Sequence, residues 1–201
     1  MKKIFWGLSL LILCACDNSK KKSANTGRGE TIEQRLNAFL KVNEEMDFEK
    51  VLDYTYPKLF KEASRSQLLK AMKEGFDNEE VKIELDSLKI ITIHPEFSVG
   101  DASYARIKYS MIMLMDFKLK KDTGDASQAD FTKEMLASQY GEENVSLDKA
   151  SGIIRIHHIS DMVAVKDEYA KEWCFVNLKE GDPMTDKLFS KEVQDKLSIY
   201  H

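Results

Sequence analysis

The chain has 201 residues, of which 43% are hydrophobic and 32% charged, so its composition predicts a mostly folded globular protein. Its 30 basic residues stand against 34 acidic ones; without Lys2 and Lys3 the basic count is 28 and the net charge changes from −4 to −6. Proteins that bind nucleic acid need a basic face to neutralise phosphates, so this charge argues against nucleic acid as a partner.

The first sixteen residues have the pattern of an export signal. Two lysines precede an apolar run over residues 4–15. That run is about a dozen residues long, whereas a membrane-spanning helix needs about twenty. The run ends in Leu-Cys-Ala-Cys, which resembles the bacterial lipobox, so we expect Cys16 to carry lipid and to become the new N-terminus. An ordinary signal peptide that happens to contain cysteines is the alternative.

Residues 17–29 read DNSKKKSANTGRG and are predicted to form a flexible tether. As a coil they would span about 20 Å. The three lysines at 20–22 would lie near the membrane, either bound to anionic headgroups or as part of a solvated spacer. We therefore expect a lipid-anchored protein of the cell envelope, facing the periplasm or on the outer membrane. Residues 30–201 are predicted to form a single domain.

Three helices are predicted at the start of this domain. Capping residues stand before each of them: Thr31 with Gln34, Asp47, and Ser64 with Gln67. Pro57 cannot lie inside the second helix without the loss of a hydrogen bond, so that helix is expected to break at Tyr56. The third helix is expected to end at Gly75.

Strands are predicted next. Val81, Ile83 and Leu85 alternate with charged residues, and the apolar phase then slips by one residue after 86–87, which indicates a β-bulge. Residues 104–119 alternate over sixteen positions and would span about 50 Å as a strand, so this strand must curve. Its odd-numbered residues form the apolar face, and Arg106 falls on the polar face.

The remaining elements complete an α+β order. After a turn at 122–125, Asp130 is predicted to cap a helix that ends at Gly141 and carries four apolar residues: Phe131, Met135, Leu136 and Tyr140. Strands follow at 145–147, 153–165 and 173–178, and a short helical segment begins at 182–183. Helices followed by mostly neighbouring strands predict an α+β domain with an antiparallel sheet.

The cysteine count and the absence of known sequence motifs limit the chemistry that the chain is expected to perform. Once the leader is removed and Cys16 is lipidated, only Cys174 remains in the body, so neither an internal disulfide nor a cysteine metal cluster can form. Cys174 lies in an apolar run and is expected to be a buried, inert thiol rather than a nucleophile. Glycine-rich phosphate loops, nucleophile elbows, zinc motifs and calcium loops do not occur in the sequence. We predict no metal and no cofactor.

Three segments carry a family resemblance: residues 47–57 (DFEKVLDYTYP), the long strand 104–119, and Trp-Cys-Phe at 173–175. Together they resemble the nuclear transport factor 2-like (SnoaL-like) domains found on bacterial lipoproteins. The resemblance implies a cone, in which a curved antiparallel sheet wraps around the first helices and often encloses a pocket. The helix at 130–140 departs from the simplest pattern. Similar cones serve as isomerases, dehydratases, interaction domains and small-molecule binders, so the resemblance does not imply one activity.

Several residues are candidates for the lining of such a pocket: Asp53, Tyr54, Tyr56, Tyr109, His158 and Trp173. Each has a plain structural alternative, as a solvated helix face or as core packing. Adjacent strand residues point to opposite faces, so His157 and His158 cannot form a metal pair. His94 precedes a proline and is expected to be exposed in a turn.

The leading functional hypothesis is a membrane-anchored, non-catalytic module that binds a small ligand or an envelope protein. It depends on the export signal and on the lack of a recognisable catalytic set. One alternative is an isomerase or lyase that uses an Asp, Tyr or His in the pocket. Another is a structural component of an envelope complex.

Overall fold

The computed structural model describes residues 30–118, 126–179 and 181–200, which form an α+β fold. The described helices are α1 (Ile32–Glu44), α2 (Phe48–Tyr54), α3 (Arg65–Phe76), α4 (Ala126–Tyr140), α5 (Pro183–Leu188) and α6 (Lys191–Leu197), with 3-10 turns at Pro57–Lys61 and Glu142–Asn144. The strands are β1 (Val81–Ile93), β2 (Phe97–Val99), β3 (Ala102–Phe117), β4 (Val145–Leu147), β5 (Ile154–Lys166) and β6 (Cys174–Leu178). The predicted leader, the lipid site at Cys16, the tether and the turn at 122–125 lie outside the described residues.

The six strands form one antiparallel sheet that is not closed. Its order is β1-β3-β5-β4, while β2 also pairs with β3 and β6 also pairs with β5. The two long strands β3 and β5 are paired from Ser103↔Lys166 to Met115↔Ile154 and form the centre of the sheet. Two strands share each outer edge: β1 and β2 pair with β3, and β4 and β6 pair with β5.

The predicted bulge in β1 is confirmed. The register with β3 shifts between Asp86 and Lys89, and Ser87 adopts a φ of 52°. That left-handed conformation inserts the extra residue, so the inward positions change from Ile83 and Leu85 to Leu88 and Ile90. A second shift follows between Ile90 and Thr92, which the hydrophobic pattern did not predict.

The sheet is covered on both faces. The face that carries α1 and α4, here called the α1 face, contains the odd-numbered residues of β3 and the even-numbered residues of β5. The opposite α6 face contains Tyr104, Val163 and Val165, which pack under α5 and α6 and against Tyr56. Long strands with two covered faces explain why the core divides into several clusters.

Local signals located the starts of the first three helices. Thr31 and Ser64 both form reciprocal capping boxes, and the Asp47 side chain accepts a hydrogen bond from the amide of Lys50. The second helix ends before Tyr56, as predicted from Pro57. The third helix, however, runs through Gly75 to Phe76, so the prediction that it ends at Gly75 is wrong by one residue.

The helix predicted at 130–140 is longer and turned differently. It begins at Ala126, so Asp130 lies inside α4 rather than at its N-cap. Phe131 and Met135 are 62% and 55% exposed, whereas Leu136 and Tyr140 pack against the sheet. Of the four apolar residues predicted on this helix, only Leu136 and Tyr140 therefore belong to its packed face. The end of α4 at Gly141, with a φ of 93°, is as predicted.

No helix in the described ranges is both long and apolar enough to cross a membrane.

Candidate functional site

The interior expected for a cone pocket is filled by side chains. Tyr109 and Trp173 are 4% and 5% exposed and pack with Leu36 and Phe175 beneath α1. Farther along the same face, Met113, Met115 and Phe117 pack against α4. The α1 face is therefore a packed core over this length, without the open interior that the resemblance implies.

The three candidates from the second helix separate in the structure. Asp53 is exposed and forms a surface ion pair with Arg65, with 2.6 Å between the oxygen and the nitrogen. The ring of Tyr54 lies on the α1 face, where the guanidinium of Arg35 is 4.9 Å from its centroid. Tyr56 is 2% exposed on the α6 face. These residues do not converge on one pocket.

Tyr56 makes the closest acid–tyrosine contact in this part of the molecule. Its hydroxyl donates to Asp167 Oδ2 at 2.5 Å, while Asp167 Oδ1 accepts from the amides of Tyr169 and Ala170. Burial, and then the hydrogen bond to Asp167, raise the pKa of Tyr56 far above its usual range. Tyr56 therefore stays protonated and stabilises the turn at 166–171 through Asp167. Its role is structural.

A gap in the sheet edge along β5 offers a site where a ligand could bind. On that edge β4 pairs with residues 154–156 and β6 pairs with residues 161–165, which leaves residues 157–160 without a strand partner. We call this gap the β5 notch. The start of β4 borders it at one end, and the end of β6 borders it at the other.

Backbone polarity shows which groups of β5 point into the notch. The carbonyl of Phe175 accepts a hydrogen bond from the amide of Tyr56, so the backbone N–H and C=O of Phe175 point away from β5. Alternation then makes Cys174 and Val176 the residues that bond to β5, opposite its odd-numbered residues Val165 and Val163. By the same alternation, the N–H and C=O groups of His157 and Ile159 point into the notch.

A cavity of about 800 Å³ occupies the notch. It is larger than the apolar groove between α3 and β1, of about 640 Å³, and the acidic groove at the start of α1, of about 750 Å³. Its lining is mostly polar: Arg106, Gln139, Tyr140, Asn144, His157, His158, Ile159, Ser160, Asp161, Asn177, Leu178 and Lys179. Of the six predicted pocket residues, only His158 lines this cavity.

Two asparagines present opposite polar groups to the notch. Asn177 Oδ1 accepts a hydrogen bond from the Tyr109 hydroxyl at 3.3 Å, which leaves the amide N–H₂ of Asn177 as a donor. Asn144 Nδ2 donates to the carbonyl of Tyr140 at 2.8 Å and to Glu143 Oε1 at 3.2 Å, which leaves Asn144 Oδ1 as an acceptor. The β6 end of the notch therefore donates and the β4 end accepts.

His158 lies on the wall of the notch with its ring edge-on to Tyr140, 5.3 Å between centroids. Burial, and then the charge of His157, lower the pKa of His158 below its usual 6.5. The imidazole is therefore neutral near pH 7 and can donate or accept a hydrogen bond. Among the described residues no carboxylate is hydrogen-bonded to it, so a His–Asp acid–base pair is not assembled.

Comparison with known proteins gave a single result. No family model, curated protein or solved structure matches this chain. Function must therefore be inferred from the geometry of the notch.

Metal and thiol chemistry have little basis in the described residues. Within 30–118, 126–179 and 181–200, no group of three His, Cys, Asp or Glu side chains could hold a metal ion. Cys174 is buried, and burial raises the pKa of its thiol, which the nearby Arg35 only partly offsets.

Sequence reasoning missed most of the notch. Tyr140 was predicted only as an apolar residue of the helix at 130–140, and Asn144, Asn177 and Lys179 were not singled out. The gap arises because β4 and β6 pair with different parts of one edge of β5, and a hydrophobic pattern does not encode which edge a strand joins. The signal that was available is the polar pair His157–His158 in the middle of a long apolar strand.

Proposed function

We propose that this protein is a lipid-anchored binding module of the cell envelope, which takes up a small ligand in the β5 notch without chemical turnover. The observation that carries the proposal is the notch itself, a polar cavity of about 800 Å³ beside unpaired strand backbone. Sites that bind ligands are commonly concave, preformed and supplied with a few convergent polar groups.

The contacts of His158 favour binding over catalysis. An isomerase or lyase would need an acid or base held within hydrogen-bond reach of the substrate and oriented by a second group. Among the described residues, the rings of His158 and Tyr140 form an edge-to-face pair, while the close pair Tyr56–Asp167 is buried away from the notch. Asp161 in the notch is already engaged by Arg106.

The relation to nuclear transport factor 2-like domains is part of the same proposal. A bulged β1, two long central strands and a helix packed across them support a curved sheet around α1. In this version the space beneath α1 is filled, and ligand binding has moved to the sheet edge.

The anchor is tested separately from the fold. Replacement of Cys16 by alanine should move the protein from the membrane to the soluble fraction and abolish acyl modification seen by mass spectrometry. Cys14→Ala is the matched control and should leave both unchanged. Unchanged membrane association of Cys16→Ala would refute lipid anchoring at that residue.

The binding site is tested on the full-length protein by amide hydrogen exchange against mixtures of small polar metabolites. Binding in the notch should slow exchange at His157 and Ile159. A ligand that instead protects the groove between α3 and β1 would move the site and contradict the proposal.

A further inference from the structure

The β5 notch has a polarity and a length that define its ligand more narrowly. We propose that it binds a short peptide of about three residues, extended and parallel to β5, with its free C-terminal carboxylate at the β6 end. This inference rests on the proposed function, because it names the ligand class of the same site.

The free backbone groups of β5 have the spacing that a parallel peptide strand requires. In a parallel pair, one residue donates its N–H to a residue of the neighbouring strand and accepts, at its C=O, from the residue two positions further along. His157 and Ile159 are spaced in this way and direct their groups into the notch. A central peptide residue opposite His158 would therefore donate to the His157 carbonyl and accept from the Ile159 amide, as in strand addition.

The charges at the two ends set the direction. At the β6 end stand the ammonium of Lys179 and the free amide of Asn177. Lys179 forms no ion pair with any described residue. At the β4 end stand Asn144 Oδ1 and the Glu143 carboxylate that contacts Asn144. A zwitterionic peptide complements this arrangement with its carboxylate at β6 and its ammonium at β4, which is the parallel orientation.

The length of the notch sets the size of the peptide. Residues 156 and 161 of β5 are the last to pair with β4 and β6, and the five steps between them span about 16 Å of strand. An extended tripeptide is about 10 Å long, and a hydrogen bond of about 3 Å at each end fills the remainder. Longer peptides would meet the ends of β4 and β6.

The aromatic wall suits side chains of modest size. The rings of His158 and Tyr140 meet edge to face on the α1 side, and Ile159, which is 50% exposed, lies on the α6 side. Because the side chains of a strand alternate between faces, neighbouring peptide side chains would contact the two walls in turn. This arrangement provides contact without a deep specificity pocket, so the termini and backbone dominate recognition.

The experiment uses nitrogen-15-labelled full-length protein in detergent and trialanine as the probe. Trialanine is expected to shift the amide signals of His157 and Ile159. Trialanine amide, which lacks the carboxylate, and trialanine methylated on its central nitrogen should each bind at least about tenfold more weakly. Lys179→Ala should weaken trialanine binding by a similar factor, whereas Lys149→Ala, a surface lysine outside the notch, should not.

The outcomes separate this inference from the proposed function. If alanine or acetate binds at the notch as tightly as trialanine and Lys179→Ala abolishes that binding, the notch is a ligand site but not a peptide site. If the amidated and N-methylated peptides bind like trialanine, the parallel arrangement is wrong. If trialanine and the polar metabolites all leave the notch signals unchanged, both proposals fail together.

Discussion

Arg106 Nε and Nη2 donate to the two carboxylate oxygens of Asp161 at 3.2 and 3.0 Å, and Nη1 donates to the carbonyl of Leu197 at 3.2 Å. The arginine is 6% exposed, although it belongs to the polar face of β3 by alternation. It is buried because α6 covers that end of the sheet. The fork of Arg106 thus joins the centre of the sheet to the C-terminal helix.

Removal of one partner of the Arg106–Asp161 pair should lower the stability of the folded protein. Asp161→Ala leaves the guanidinium of Arg106 buried without its counter-charge, and we expect the free energy of unfolding to fall by about 3 kcal/mol. Urea unfolding followed by circular dichroism measures the change. Asp86→Ala is the matched control, since its pair with Arg155 is half-exposed and 3.8 Å long, and its effect should stay below about 1 kcal/mol. Equal effects of the two replacements would contradict the structural role of Arg106.

Tyr56→Phe should destabilise the protein by about 1.5–3 kcal/mol, because a buried hydrogen bond to a carboxylate is lost. Tyr169→Phe, which alters a tyrosine 39% exposed in the same turn, should change stability by less than about 0.5 kcal/mol. Thermal unfolding of both variants tests the difference. If Tyr56→Phe is neutral, Asp167 does not depend on that hydroxyl to hold the turn.

The stability of the protein should depend on how readily the residue at position 87, in the β1 bulge, adopts a positive φ. Ser87 has a φ of 52°, a region that a β-branched residue strongly disfavours, so Ser87→Val should lower the free energy of unfolding by about 1–2 kcal/mol. Ser87→Gly should be neutral or stabilising, since glycine adopts this conformation without strain. Ser98→Val in β2, an exposed strand position, is the control and should be tolerated. A Ser87→Val protein as stable as the parent would argue against the bulge.

The stability of the protein should fall as the pH drops below 6.5. The pKa of His158 is lower in the folded protein than in the unfolded chain. Between pH 6.5 and the folded-state pKa, the unfolded chain therefore binds a proton that the folded protein does not, and this proton uptake favours unfolding. Above 6.5 this contribution is fully present. Proton NMR titration should place the pKa of His158 below 6.5, and His157→Gln should raise it, because the second cause is then removed. A His158 pKa above 6.5 in the parent protein would contradict its burial at the notch.

Cys174 should react with a thiol reagent only when the protein unfolds. Its thiol is buried and its pKa is raised, so at pH 8 it is both shielded and largely protonated. In a chain with Cys14 and Cys16 replaced by serine, labelling should follow the urea unfolding curve. Rapid labelling of the folded protein would show that the β6 strand opens.

The sequence by itself determined the local elements of this protein. Thr31 and Ser64 cap helices through contacts three residues away, and the slip in the hydrophobic phase of β1 marked the bulge at Ser87. These features depend on groups that are close along the chain, so the sequence shows them directly. The α+β class followed from the order of the elements alone.

Only the tertiary structure decided which residues are buried and which strands share an edge. His94, expected in an exposed turn, has a buried Nε2 and stacks on Tyr200 at 4.8 Å, because the C-terminal segment folds back over it. Arg106 is buried for the same kind of reason, and Phe131 is exposed because α4 presents a different face to the sheet. The β5 notch exists only because β4 and β6 join one edge at different registers. Burial, register and edge choice depend on partners distant in the chain, which alternation and capping do not specify.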